Sequence, residues 1–173
     1  MTNKIVFVFG LPGSGKSYFA TRFAERINAK YVNSDRVRKE IFKKREYTPE
    51  EKQAVYKAML DEMQNAIEEN KNIVLDATFH KAATRKLFTD QIADPGKIVF
   101  IEVQANDKII KERLKHKREY SEADYSVHKL IADQNEPLEK PHLILQSTNR
   151  NIEVMLTEAE NHLKENHDSS GIK

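Results

Sequence analysis

The sequence predicts an α/β domain built around a parallel five-stranded sheet. Short apolar runs of strand length alternate along the chain with segments whose apolar residues recur at helical spacing, and this alternation is typical of α/β folds. The first run, at 4–9, is rich in β-branched and aromatic residues, as expected for a strand buried on both faces. The length of 173 residues suits one domain, which we place at 1–167, followed by a flexible tail at 168–173.

The first half of the chain contains two predicted strands and three predicted helices. After the first strand, apolar residues such as Phe19 and Phe23 recur at helical spacing. Further on, Thr48 and Glu51 form a capping box around Pro49, and proline is favoured at the first position of a helix. In chain order we expect a strand at 4–9, a helix at 16–28, a strand at 31–33, a short basic helix at 36–44 and a helix from 49 to about 69.

The second half contributes three more strands. Asp94, Pro95 and Gly96 form a turn before the fourth strand, and Asn106 or Asp107 caps the helix that follows that strand. We expect strands at 72–76, 98–103 and 143–145, and helices at 81–92, from 106 or 107 to about 118, from a cap within 121–124 to about 134, and at 151–164.

Composition excludes several classes of protein. The chain has no cysteine, so disulfides, cysteine-based zinc sites and a cysteine nucleophile are excluded. No stretch approaches the roughly 20 apolar residues of a membrane span, and the apolar run at 5–9 is too short for a signal peptide. We therefore expect a soluble, cytoplasmic protein that does not enter a membrane.

Charge is distributed unevenly along the chain, although the net charge is only +2. Residues 1–45 carry a net charge of +8 and residues 81–118 carry +5, whereas residues 46–80 and 119–173 carry −5 and −6. The two basic blocks are either solvated helix faces or the borders of a single site for a polyanion.

A phosphate-binding loop follows the first strand. Gly-Leu-Pro-Gly-Ser-Gly-Lys-Ser at 10–17 matches the Walker A pattern, with a strand before it and a helix after it. Glycines let backbone N–H groups turn inward around a phosphate, and the helix directs its positive end at the same anion. Lys16 supplies charge to the β- and γ-phosphates, and the Ser17 hydroxyl is a Mg²⁺ ligand. We expect the nucleotide to contact Gly10, Pro12, Gly13, Ser14, Gly15, Lys16, Ser17 and Tyr18.

Two carboxylates stand at the ends of predicted strands, where ligands bind in α/β sheets. Asp35 follows the second strand and either accepts the proton of an incoming hydroxyl or caps the next helix. Asp76 ends the third strand and either binds Mg²⁺ through water, orients the substrate hydroxyl, or serves as a structural acid. No glutamate follows Asp76, although many P-loop ATPases place one there to orient the attacking water.

Further polar residues flank these carboxylates. Arg36 and Arg38 follow Asp35 and are suited to hold an anionic substrate. Thr78 lies just beyond Asp76 and is a candidate substrate contact. His80 comes two residues later, in a position more typical of a surface histidine than of a catalytic one.

A second basic segment, at 111–118, is a candidate lid at about 116–126. Arg113 and Lys117 are four residues apart and would share one face of a helix. A mobile arm carrying these cations would neutralise charge in a transition state and exclude water. The alternative interpretation is a solvated helix end, where cations favour the negative end of the helix dipole.

At these motifs the chain resembles the small P-loop kinases of the polynucleotide 5′-hydroxyl kinase type, within a broad branch of predicted kinases. Gluconate kinases and zeta-type toxins are more distant relatives of this group. The likeness extends over most of 1–150. The segments that carry it are the loop at 10–17, Asn-Ser-Asp-Arg-Val-Arg at 33–38, Val-Leu-Asp-Ala-Thr-Phe at 74–79, and the lid helix with Arg113.

The resemblance implies a three-layer P-loop NTPase fold of the nucleoside-kinase kind, with strand order 2-3-1-4-5 and a helical lid. It implies ATP with Mg²⁺ as the phosphoryl donor, Asp35 as the general base, Arg38 as a contact to an acceptor phosphate or to the substrate, and lid cations on the phosphates. One position departs from the pattern, because Lys117 stands where the group usually has a second lid arginine, and Arg118 follows it. Either Lys117 or Arg118 could make the second lid contact.

The expected function is transfer of the γ-phosphate of ATP to a hydroxyl, catalysed by Lys16, Asp35 and Arg113. The acceptor is a polynucleotide 5′-hydroxyl or the hydroxyl of a small metabolite, and no obligate protein partner is expected. A further hypothesis is a toxin that phosphorylates a sugar nucleotide, which predicts growth arrest on expression. The alternative is a nucleotide-binding switch or slow ATPase that acts through protein contacts. The expected acceptor contacts are Asp35, Arg36, Arg38, Asp76 and Thr78, and the expected metal contacts are Ser17 and, through water, Asp76.

Overall fold

Five parallel strands form one sheet in the order β2-β3-β1-β4-β5. The computed structural model describes residues 3–168 of the chain. The strands are β1 (Ile5–Phe9), β2 (Lys30–Asn33), β3 (Ile73–Asp76), β4 (Ile98–Gln104) and β5 (Leu143–Gln146). The fold class and the strand order are confirmed.

Helices connect the strands and cover both faces of the sheet. They are α1 (Lys16–Arg26), α2 (Ser34–Ile41), α3 (Pro49–Glu68), α4 (Ala82–Thr89), α5 (Asp107–Leu114), α6 (Tyr125–Asp133) and α7 (Ile152–Asp168), with a 3₁₀ turn at Pro95–Lys97. None of the helices within 3–168 is both long enough and apolar enough to cross a bilayer.

The central strand β1 divides the core into two layers. Phe7 packs in one cluster with residues of α3 and α4, whereas Val6 and Val8 pack in the other with residues of α1 and α7. Because successive side chains of a strand point to opposite faces, a strand that is apolar throughout suits a position between two helical layers. This arrangement fixes β1, and with it the start of the loop at 10–17.

Helix α2 begins directly at the end of β2, earlier than the sequence indicated. The side chain of Asn33 caps the helix, because its Oδ1 accepts a 2.9 Å hydrogen bond from the backbone N–H of Arg36. The alternative in which Asp35 is the cap is therefore wrong, since Asp35 lies within the first turn. Its carboxylate is left available for another role.

Two helix ends also differ from the prediction. Helix α5 ends at Leu114 rather than near 118, so Arg113 and Lys117 do not share a helix face. Helix α7 continues to Asp168 rather than ending near 164. The tail was expected from 168, and its residues 169–173 lie outside the described part of the chain.

The N-cap predicted at the start of α3 is confirmed, but the Glu51 carboxylate bonds to the residues before Thr48 and not to the Thr48 backbone N–H that a capping box would use. The Thr48 hydroxyl accepts a 3.2 Å hydrogen bond from the backbone N–H of Glu51, and Pro49 occupies the first turn. The Glu51 carboxylate is buried and accepts 2.8 Å hydrogen bonds from the backbone N–H groups of Glu46 and Tyr47. The loop before α3 is thereby held against the first turn of that helix.

Candidate active site

The loop at 10–17 requires glycine for steric reasons. Gly10 has φ of 150°, and a Cβ there would lie 2.3 Å from the Val103 carbonyl oxygen. Gly15 has φ of 93°, and a Cβ there would lie 2.7 Å from the Ser147 hydroxyl. Both values of φ are ones that residues with side chains rarely adopt. The loop therefore approaches β4 and the segment after β5 more closely than any other residue would permit.

The same loop is braced from the far side by α6. His128 is buried, and its Nδ1 lies 2.8 Å from the carbonyl oxygen of Pro12. Because a carbonyl oxygen can only accept, the Nδ1 atom carries the proton in this contact. The sequence did not indicate that His128 belongs to the site, because a single histidine on a helix is not part of any recognisable motif.

A cavity of about 520 Å³ opens over the start of α1. Its wall is formed by the P-loop, the end of α5, the segment after it and the residues that follow β5. The lining residues include Gly13, Gly15, Lys16, Ser17, Tyr18, Arg113, His116, Arg118, Ser147, Thr148, Asn149 and Ile152. The volume lies within the range of small-molecule sites.

Asp76 is fully buried beside the P-loop serine. Its Oδ2 accepts hydrogen bonds from the Tyr31 hydroxyl at 2.6 Å and from the Asn33 side-chain amide at 2.7 Å. The same amide nitrogen lies 3.4 Å from the hydroxyl oxygen of Ser17. The other carboxylate oxygen, Oδ1, is buried without a hydrogen-bond partner among the described residues.

This arrangement fits the magnesium ion that a P-loop implies. A buried carboxylate oxygen without a partner is costly, and a metal-bound water would satisfy it. Together with the Ser17 hydroxyl, Asp76 supplies the oxygen ligands that Mg²⁺ prefers. Tyr31 and Asn33 support the site by orienting the carboxylate, a role that the sequence did not indicate for either residue.

Asp35 lies at the start of α2, partly buried beside several cations. Burial raises the pKa of the Asp35 carboxyl above its ordinary value, while the positive charges of Lys16, Arg38 and Arg118 act in the opposite direction. Arg38 Nη1 lies 3.5 Å from Asp35 Oδ1. Three separate segments, the P-loop, α2 and the residues after α5, therefore direct cations at this one carboxylate.

The two arginines of α2 occupy different places. Arg38 is mostly buried, with its guanidinium 4.9 Å from the Tyr47 ring and its Nε 4.0 Å from Glu51. Arg36 instead lies between two aromatic rings, 4.9 Å from that of Tyr31 and 4.8 Å from that of Tyr120. Arg38 is thus beside Asp35, while Arg36 joins β2 to the segment after α5.

Thr78 and His80 lie on either side of a strained residue. Phe79 is fully buried and has φ of 43°, which non-glycine residues seldom adopt. The Thr78 hydroxyl lies 3.2 Å from His80 Nδ1. The expectation of a surface histidine is wrong, because His80 is buried; burial and the nearby charges of Lys52 and Lys81 lower its pKa to about 4.

Arg113 braces the P-loop rather than standing free above it. Its guanidinium donates to the carbonyl oxygens of Gly13 at 3.2 Å and Ser14 at 2.9 Å. On the other side it donates to the Ser147 hydroxyl at 3.0 Å and to the Thr148 carbonyl at 3.1 Å. The arginine predicted as a lid cation therefore connects the P-loop to the segment after β5.

The lid segment between α5 and α6 directs Arg118, and not Lys117, at the site. Lys117 is exposed, whereas Arg118 is half-buried, lines the cavity and donates a 2.7 Å hydrogen bond to the Ala123 carbonyl. Glu122 holds this segment against the loop before α3, because it accepts from the Tyr47 hydroxyl at 3.0 Å and pairs with Arg45.

The fold and the phosphate-binding loop together define a P-loop nucleotide-binding protein. A model of the AAA domain family, AAA_33, matches residues 5–141. The chain belongs to this family. A comparison with curated proteins found no match.

Several solved structures share the fold. A gluconokinase from Sinorhizobium meliloti 1021 has a TM-score of 0.73 and 17% sequence identity, over 99% of this chain and 98% of that one. The APS kinase CysC of Mycobacterium tuberculosis, in complex with AMPPNP and APS, has a TM-score of 0.70 and 16% identity, over 94% and 98%. Kti12 from Chaetomium thermophilum, in complex with ADP-AlF3, has a TM-score of 0.64 and 15% identity, over 91% and 97%. At these identities the likeness concerns the fold.

Proposed function

We propose that the protein is an ATP-dependent kinase that transfers the γ-phosphate of Mg-ATP to a hydroxyl group. The observation that carries this proposal is the position of Asp35, a partly buried carboxylate in the first turn of α2, just after β2, within the electrostatic influence of Lys16 of the P-loop. Its raised pKa makes it a better proton acceptor than an ordinary carboxylate.

In the proposed reaction, the acceptor oxygen bonds to the γ-phosphorus while the proton of that hydroxyl passes to Asp35. The bond between the γ-phosphorus and the oxygen that bridges to ADP breaks, and ADP leaves. Lys16 and Arg118 stabilise the charge on the transferring group. Arg113 acts as a positioning residue, because its donors are engaged by the P-loop and by the segment after β5.

Ser17 and Asp76 are the residues that would hold Mg²⁺, the serine directly and Asp76 through water. When bound, the ion neutralises phosphate charge and orients the leaving group. Asn33 and Tyr31 keep the Asp76 carboxylate in the orientation that leaves Oδ1 available.

The proposed acceptor is of one of two kinds, either a polynucleotide 5′-hydroxyl or the hydroxyl of a small metabolite. Two proteins whose structures share the fold, a gluconokinase and an APS kinase, support the second kind. We further propose that catalysis takes place in the cytoplasm and requires no protein partner.

The test is transfer of labelled γ-phosphate from Mg-ATP to a short 5′-hydroxyl oligonucleotide and to a panel of sugars, sugar acids and nucleosides. Asp35→Asn should lower transfer by about 10²- to 10⁴-fold without weakening ATP binding. The matched control is Asp61→Asn on the exposed face of α3, where the aspartate pairs with Lys57, and it should leave transfer unchanged.

The proposed kinase activity would be contradicted if no acceptor were phosphorylated and if ATP turned over slowly at a rate that Asp35→Asn did not change. That result would instead indicate a nucleotide-binding switch or a slow ATPase.

A further inference from the structure

Arg36 is held by two aromatic rings rather than by a carboxylate. Its guanidinium carbon lies over the Tyr31 ring, 4.9 Å from the ring centre, and over the Tyr120 ring at 4.8 Å. Within residues 3–168 it forms no ion pair, whereas Arg38 on the same helix pairs with a carboxylate. A planar guanidinium stacks well on the faces of aromatic rings. The surroundings of Arg36 therefore suit a side chain that fixes two tyrosines relative to each other.

The Tyr31 side of this arrangement leads to the proposed magnesium site. The Tyr31 hydroxyl donates a 2.6 Å hydrogen bond to Oδ2 of Asp76, whose Oδ1 is buried without a hydrogen-bond partner in the part of the chain that the structure describes. The terminal torsion of an aspartate side chain is soft, so the donors to Oδ2 decide which way Oδ1 points. Because Arg36 covers the ring of one of these donors, it limits the movement of that donor.

The Tyr120 side belongs to the lid segment, residues 115–124 between α5 and α6. This segment contains no helix or strand, so side-chain contacts must hold it in place. Lys39, three residues after Arg36 on α2, lies 4.9 Å from the centre of the same Tyr120 ring. Like charges this close together on a helix repel each other, and the negative face of an aromatic ring offsets the repulsion. The Tyr120 ring therefore anchors the lid segment on α2.

We propose that Arg36 is a positioning residue for the magnesium site and that Tyr120 secures Arg36 there, so that the Asp76 carboxylate is held in its metal-binding orientation only while the lid segment lies on α2. This inference rests on the proposed function, which assigns Asp76 as a magnesium contact. It gives Arg36 a role different from the acceptor contact that the sequence indicated, because Arg36 acts through Tyr31 and not on the substrate.

A coupling of this kind acts in both directions, because linkage between two equilibria is reciprocal. If the lid segment helps to orient Asp76, then binding of the metal with its nucleotide holds the lid segment on α2. Loss of the Tyr120 ring, which lies on the lid segment, therefore weakens the part of nucleotide binding that depends on the metal.

The test compares the affinity of the whole protein for AMPPNP, a non-hydrolysable analogue of ATP, in excess Mg²⁺ and in EDTA. The Kd in EDTA divided by the Kd in Mg²⁺ measures the contribution of the metal, and this metal ratio should be well above one in the wild type. Arg36→Gln and Tyr120→Leu should each lower the metal ratio by about threefold to tenfold, with the Kd in EDTA unchanged. Tyr31→Phe, which removes the hydrogen bond itself, should lower the ratio at least as much.

Two controls separate the aromatic ring and the particular cation from general effects. Tyr120→Phe retains the ring and should keep the wild-type metal ratio. Lys43→Gln removes a cation from an exposed position shortly after α2 and should also keep it. Thermal unfolding of every variant checks that the fold is retained.

Hydrogen exchange supplies a readout that a loss of stability alone would not reproduce. In the wild type, AMPPNP with Mg²⁺ should protect the backbone amides of the lid segment more strongly than AMPPNP in EDTA does. In Arg36→Gln this difference between the two conditions should disappear.

A wild-type metal ratio in Arg36→Gln or in Tyr120→Leu would overturn the inference, as would equal losses in Tyr120→Phe and Tyr120→Leu. Equal weakening of AMPPNP binding in Mg²⁺ and in EDTA would also overturn it, because Arg36 would then act on the nucleotide or on the fold in general. A wild-type ratio of one would contradict the metal contacts and this inference together.

The inference and the proposed kinase activity fail separately, because AMPPNP binding is measured without phosphoryl transfer. A metal ratio that depends on Arg36 and Tyr120, in a protein that phosphorylates no acceptor, would support the inference and contradict the kinase alone. Phosphoryl transfer by a protein whose metal ratio is unaffected by Arg36→Gln would contradict the inference alone.

Discussion

The side-chain amide of Asn33 donates a 2.7 Å hydrogen bond to the carboxylate of Asp76, and both residues are buried. Asn33 ends β2 and Asp76 ends β3, and the two are register partners in the sheet. With its Oδ1, Asn33 also caps α2, the helix that presents Asp35. One side chain thus links the proposed magnesium ligand to the proposed base.

Replacing Asn33 should destabilise the protein. Asn33→Ala removes a helix cap and leaves one oxygen of Asp76 with a single remaining donor, so the free energy of unfolding should fall by about 1–3 kcal/mol. Urea unfolding measures the change. The control is Asn65→Ala on the exposed face of α3, which should alter the free energy by no more than about 0.5 kcal/mol. Equal effects of the two variants would contradict the linking role of Asn33.

The ionised carboxylate of Asp35 should lower the stability of the folded protein at neutral pH, although we propose that it supports activity. The folded protein binds the Asp35 proton more tightly than the unfolded chain, because burial raises the pKa of this carboxyl above its ordinary value of 3.8. Ionisation of Asp35 therefore costs stability as the pH rises from 3.8 through the raised pKa. Asp35→Asn should raise the Tm at pH 7 and lose this advantage at acidic pH, where the wild-type carboxyl is also neutral.

Thermal unfolding across a pH series measures this effect, with Asp61→Asn as the exposed counterpart. A Tm for Asp35→Asn that is lower than that of the wild type at pH 7 would mean that Lys16, Arg38 and Arg118 stabilise the charged form by more than burial disfavours it.

Gly15 should not tolerate a methyl group. Gly15→Ala places a Cβ 2.7 Å from the Ser147 hydroxyl and 2.9 Å from Arg113 Nη1, at φ of 93°, a strain of about 1–3 kcal/mol. Unfolding stability should fall, and the affinity for a fluorescent ATP analogue should fall with it. Gly96→Ala is the control, because there the nearest atom is 3.2 Å away, on the flexible end of the Asp94 side chain. Unchanged nucleotide affinity in Gly15→Ala would contradict the close approach.

The fold was predictable because its signals are local. The apolar run of β1, the position of the Walker A loop between a strand and a helix, and the N-cap at Thr48 each depend on a few consecutive residues, and each is confirmed. Helix ends were less predictable: α5 was expected to continue through a run of good helix formers, but the chain leaves the helix after Leu114 and makes contacts with distant segments instead.

The candidate site was predictable only where its residues sit in a sequence motif. Asp35, Asp76 and the P-loop follow strands, so topology brings them together. His128 reaches the site from a helix far along the chain, and only the tertiary structure reveals its contact with the Pro12 carbonyl oxygen. Arg113 was expected to act as a lid cation, whereas its hydrogen bonds to the P-loop carbonyl oxygens and to Ser147 after β5 are visible only in the tertiary structure.

Replacing Arg113 with lysine should weaken ATP binding. Its planar guanidinium donates to the carbonyl oxygens of Gly13, Ser14 and Thr148 at once, and a lysine ammonium cannot span these acceptors. Arg113→Lys should therefore weaken ATP binding by about tenfold or more, the equivalent of one or two lost charge-assisted bonds. Arg150→Lys, at an exposed position after β5, should bind ATP like the wild type. Equal affinities in the two variants would contradict the bracing role.

The lid should act through Arg118 rather than through Lys117. Arg118 is half-buried in the cavity wall and faces Asp35, whereas Lys117 is exposed. A preorganised cation at a transferring phosphoryl group contributes about 10²- to 10³-fold to kcat, so Arg118→Ala should lower kcat by that factor. Lys117→Ala should change it by less than about twofold, since an exposed charge in water is strongly screened. Steady-state kinetics with the acceptor identified by the transfer assay separates the two, and a larger loss in Lys117→Ala would assign the second lid cation to Lys117 after a movement of the lid.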